Sequence, residues 1–72
     1  PLTEAFSLTA LAKLNQPTVT LASLKEAGIV SRACEKAKVL STGEISKPVV
    51  LEGIFVSAGA RKKIEAAGGK IS

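Results

Sequence analysis

At 72 residues, with ten Lys and Arg against six Glu and a net charge of +4, the chain suffices for one small domain and is too short to bury a large core. Hydrophobic residues make up 46% and charged residues 22%, which excludes a disordered polyelectrolyte, and the longest apolar region, Val49 to Val56, is interrupted by Glu52 and Gly53 before it could span a bilayer. His, Asp, Tyr and Trp are absent, so hydrolase triads and carboxylate–histidine metal centres lack their parts.

In chain order, Phe6 and Leu8 alternate about Ser7 as in a short strand, and Thr9 suits the cap of a brief helix over Ala10 to Leu14, ended by Asn15-Gln16-Pro17. Thr18 to Leu21 is rich in β-branched residues and predicts an extended segment; Ala22 to Ala27 then reads as a second helix closed by Gly28. Leu8-Thr9-Ala10-Leu11 and Leu21-Ala22-Ser23-Leu24 lie thirteen positions apart and hint at a repeated strand-to-helix corner. Ile29 to Ala37 has no clean period and is expected to be mostly irregular. Lys38 to Ser41 reads as a strand, Thr42-Gly43-Glu44 as the turn leaving it, Val49 to Leu51 as a buried strand and Ile54 to Val56 as a further apolar run.

Ser57 to Gly69 has the marks of a complete helix: Ser57 to cap it, Gly68 to stop it, and Ala60, Ile64 and Ala67 on one stripe. Lys70 to Ser72 can close as a last strand. The order strand, helix, strand, helix, strand, strand, helix, strand, with short connections, predicts an α/β domain of layered short elements.

Arg61, Lys62 and Lys63 occupy the N-terminal half of the last helix, where the macrodipole disfavours cations by about 0.3–1 kcal/mol each. An anion docked there reverses that sign, and Gly59 would let a backbone come close, so this helix is a candidate phosphate contact. The same charges also fit a solvated basic face. Both Phe6 and Phe55 are expected in the core, which leaves no stacking platform for bases. Cys34 is expected to be a small buried hydrophobe, a thiolate favoured by Arg32 and Lys36 being the other reading. The six Glu are scattered among Lys and Arg as on a solvated surface, so no catalytic pair and no cofactor or metal is expected. Gly68-Gly69-Lys70 fails as a P-loop, because Ile71 replaces the Ser or Thr and Ile64 the first Gly.

From Lys38 onward the residues form a pattern: Lys38, Val39, Leu40, Ser41, Gly43, Ile45, Val49, Leu51, Val56, Ser57, Ala60, Ile64 and Gly68. This resembles the signature of the large-subunit ribosomal protein fifteen family, which includes the eighteen-e proteins, and Thr20 to Ile29 is similar to its bacterial and organellar branch. The resemblance implies a C-terminal globular domain, residues 1–72, folded as an irregular superhelix of strand-strand-helix turns. It implies a longer protein whose N-terminal extension, rich in Gly, Arg and Lys, threads into rRNA and is not among these residues. It further implies a structural constituent of the large ribosomal subunit, in the cytoplasm or in an organelle, with large-subunit rRNA and neighbouring ribosomal proteins as partners and neither membrane nor small-molecule substrate. Arg61, Lys62 and Lys63, with Gly59, are then the foremost candidates for rRNA contact, and Lys38, Lys47 and Arg32 the secondary ones. The rival reading is a protein-interaction module that binds no RNA and uses apolar faces around Leu11, Leu24 or Val50.

Overall fold

The computed structural model describes residues 2–72. Its elements are β1 (Leu2–Ser7), α1 (Leu8–Leu14), β2 (Thr18–Val19), α2 (Leu21–Glu26), β3 (Cys34–Leu40), β4 (Val50–Leu51), β5 (Phe55–Val56), α3 (Ala58–Ala66) and β6 (Lys70–Ile71). The odd strands form a parallel sheet in the order β1-β3-β5, and the even strands a second parallel sheet in the order β2-β4-β6. Each turn of the chain therefore lays one strand in each sheet, and three turns stack as an irregular superhelix. Parallel neighbours need a crossover, which α1 supplies in the first turn and α3 in the third. In the second turn residues 41–49 make the crossing without a helix.

The strand-to-helix corners are set by hydroxyl caps. Ser7 is extended, and its Oγ accepts from Ala10 N–H at 3.1 Å, so α1 opens at Leu8 rather than after Thr9. Thr20 and Ser23 each accept from the other's backbone N–H at 3.2 Å, a capping box that starts α2 at Leu21, one residue before the expected Ala22. The repeated Leu-containing tetrapeptides thus mark two equivalent corners, each beginning on the first helical residue. Ser57 caps α3 through Ala60 N–H, and Gly68, at φ +88, carries the chain out of the helix in a conformation that side chains rarely adopt.

Inward rows from both sheets meet the helices in one core. Leu8, Leu11, Val19, Leu24, Val39, Leu51 and Ile64 are all essentially inaccessible to solvent. Burying each such side chain contributes about 1.5–3 kcal/mol before conformational entropy is subtracted. The two-residue strands of the second sheet are extended by flanking bonds: Val50 N–H to Pro17 O, Lys70 N–H to Val49 O and Ser72 N–H to Leu51 O, each 2.8 Å.

Two expectations are corrected here. Cys34 to Ala37, expected to be irregular, is the first half of β3, and Phe55–Val56, expected only as an apolar run, forms β5, so three strands rather than two lie between α2 and α3. The reason is a bulge: Leu2 pairs with Cys34 and Thr3 with Lys36, leaving Glu35 extra and hiding the two-residue period. Phe55, expected in the core, is 55% exposed, because Val39 and its register partner Val56 set the inward phase of β5. Phe6 is buried as expected, and so is Cys34, whose thiol donates to Lys36 O at 3.2 Å.

Candidate nucleic-acid interface

The nine residues of α3 present their stripe, Ala60 and Ile64, to the core, which turns Arg61 and Lys62 to solvent. Arg61 lies 3.7 Å from the Glu65 carboxylate, both side chains more than half exposed, a contact worth little in water. The cation precedes the anion along the helix, the poorer orientation for an i,i+4 pair, since both charges oppose the macrodipole. Lys62 has no hydrogen-bond or ion-pair partner among the described residues.

Lys63 is different. Its ammonium donates to Ser41 O at 3.0 Å, Gly43 O at 2.9 Å and Glu44 Oε2 at 2.8 Å, so all three N–H groups are engaged within the chain. Gly59 serves the same junction: a Cβ there would stand 2.8 Å from the Ser41 Cβ. What Gly59 makes room for is thus the Ser41 side chain of this chain itself. Together Lys63 and Gly59 hold the helixless second crossover against α3, and Leu8 N–H, donating to Thr42 O at 2.9 Å, holds it from the other side.

The remaining candidates are dispersed. Lys47 donates to Asn15 Oδ1 at 3.1 Å, beside a cleft of about 220 Å³ between the end of α1 and residues 47–49. Lys38 stands exposed on the outward face of the first sheet, in register with Ala5 and Phe55. Arg32 precedes β3, whereas Ser41, packed on Gly59, follows it. Seven strand residues, about 3.3 Å each, therefore separate Arg32 from the Arg61 end. Among the described residues no group of three His, Cys, Asp or Glu could hold a metal, and no helix is long and apolar enough to cross a membrane.

Residues 2–72, the whole described fold, match the family model of ribosomal proteins 50S-L15, 50S-L18e and 60S-L27A. The chain belongs to this family. It is 49% identical over 61 residues to the large ribosomal subunit protein uL15 of Nitrosococcus oceani, covering 85% of the chain and 42% of the relative. Against uL15 of Alteromonas mediterranea the identity is 41% over 69 residues, 96% of the chain and 48% of the relative. With uL15 of Azotobacter vinelandii it is 48% over 61 residues, again 85% of the chain and 42% of the relative. The chain thus spans a little under half the length of these curated relatives. The family is one of ribosomal proteins, structural components rather than enzymes.

One exposed residue escaped the sequence reading. Phe55 sits between Ile54, which is buried, and Val56, so its apolar neighbours conceal its outward phase. Only the pairing of Lys38 with Phe55, a polar residue opposite it in the ladder, carries the signal, and that requires the register.

Proposed function

We propose that this chain is a structural constituent of the large ribosomal subunit, where it forms one globular domain, holds large-subunit rRNA by phosphate and shape contacts, and packs on neighbouring ribosomal proteins. The observation that carries the rRNA reading is the division within the basic run of α3: Lys63 is spent on the chain itself, while Arg61 and Lys62 stand exposed and oriented against the macrodipole. Charges that do little for their own helix and face outward are suited to an external polyanion, and the net charge of +4 adds a sequence-independent attraction. Family membership supplies the setting.

Binding to large-subunit rRNA, measured over a range of salt concentrations, tests this. Each phosphate neutralised contributes about 0.7 to 0.9 to the slope of log K against log salt, so Arg61→Ala/Lys62→Ala should weaken binding and flatten the slope. An unchanged slope in that variant would remove α3 as the phosphate contact. Recovery with a neighbouring ribosomal protein and no affinity for rRNA would favour the protein-interaction reading.

A further inference from the structure

The outward face of the first sheet offers an aromatic ring that the core does not use. The alternation that buries Phe6, Ala37 and Val39 turns Ala5, Lys36, Lys38 and Leu40 to the other side, and all four are exposed. Lys38 is in register with Ala5 on one neighbour and Phe55 on the other, so the three form one row with strands about 4.8 Å apart. The row is small, basic and aromatic in turn, with Lys36 two residues away along β3. Glu4 alternates to the opposite face and is tied to Ser31, and the exposed bulged residue Glu35, next to Lys36, is the carboxylate nearest the row along β3.

We propose that this row is a stacking platform for an unpaired RNA base, the Phe55 ring taking the base face and the Lys38 and Lys36 ammoniums the adjoining phosphates. An exposed ring forgoes the free energy of burial, and one whose register partner is a Lys, with a second Lys two residues along the same strand, is complementary to a ligand that is both flat and anionic. Paired RNA keeps its base faces inside the stack, so an unpaired nucleotide is the form that fits. The proposal rests on the rRNA reading but uses residues distinct from Arg61 and Lys62, so the two can fail separately.

The chain has no Trp, which makes Phe55→Trp a clean fluorescent reporter in the full 72-residue chain. It is titrated with an unpaired oligoadenylate, an RNA duplex of equal length and large-subunit rRNA, with circular dichroism to verify folding. The expected result is quenching by the oligoadenylate and by rRNA but not by the duplex, together with an affinity for oligoadenylate about tenfold lower in Phe55→Ala and retained in Phe55→Trp. Salt-sensitive, Arg61-dependent rRNA binding with an unperturbed indole and full affinity in Phe55→Ala would overturn the platform while leaving the phosphate contacts of α3. An indole that responds only to another ribosomal protein would overturn it in favour of a protein-docking face. Failure of the native chain to bind any RNA would remove both readings.

Discussion

The two loops that flank β3 are tied down by opposite charges. Before the strand, the N–H and hydroxyl of Ser31 donate to one carboxylate oxygen of Glu4 on β1, at 3.1 and 2.6 Å. After it, the carbonyls of Ser41 and Gly43 accept from the Lys63 ammonium on α3, at 3.0 and 2.9 Å. Each anchor suits what its loop leaves unpaired: donors at Ser31, carbonyl oxygens in a crossover that has no helix to satisfy them. A carboxylate could not have served the second loop. The comparison teaches that a charge's use is set by the backbone it meets, and three consecutive basic residues on α3 can therefore have two different uses.

The strongest way to break the second anchor is to remove what carries it. Ile64 is fully buried one residue from Lys63, and Ile64→Ala should destabilise the fold by about 2–5 kcal/mol in chemical denaturation. The Leu8 amide, which donates to Thr42 O of the crossover, should lose hydrogen-exchange protection in step, while the Ser31 amide should change less. A loss below about 1 kcal/mol would mean that α3 only covers the crossover.

Lys63→Met sharpens the comparison by keeping the stem and deleting the donors. Hydrogen bonds to charged groups are worth about 1.5–3 kcal/mol, but the Lys63 side chain is 38% exposed and water competes, so about 1 kcal/mol is expected. The exchange should accelerate at the Leu8 amide, whose acceptor is Thr42 O in the crossover, and not at the Ser31 amide. Arg61→Ala and Lys62→Ala should each stay within about 0.5 kcal/mol, as surface substitutions do. Equal effects at all three positions would erase the division between anchor and interface.

How much of this was legible in the sequence depended on whether a signal was local. The last helix was readable because Ser57, Ala60, Ile64 and Gly68 state its start, face and stop within one short span. The α/β layering was readable from the alternation of elements, and the superhelix from the ribosomal resemblance. The start of β3 was not, because Glu35 bulges and breaks the period on which a strand is recognised. Lys63 looked like its neighbours because its partners lie some twenty residues upstream, and Phe55 looked like core because its phase is fixed by Val39 across the ladder. Non-local partners set both the place of Lys63 and the phase of Phe55.

The first anchor can be separated from the second by acid. The hydroxyl of Ser31, and after it the Ser31 N–H, hold the Glu4 carboxyl below the ordinary glutamate range, with desolvation opposing weakly. A group whose folded pKa is lowered contributes stability that is present above its unfolded pKa and lost as pH falls through the folded value. Glu4→Gln removes the titrating group while leaving an amide oxygen that can still accept. The difference in stability between the native chain and Glu4→Gln should therefore be small, present at neutral pH and gone at acid pH below the depressed pKa, with the Ser31 amide reporting it by exchange. The loss caused by Lys63→Met should largely persist over the same range, because two of its three acceptors are carbonyls that do not titrate. Were the Glu4→Gln difference to stay constant with pH, the Ser31 loop would be held by packing and not by the carboxylate, and the contrast between the two ends of β3 would reduce to the Lys63 side alone.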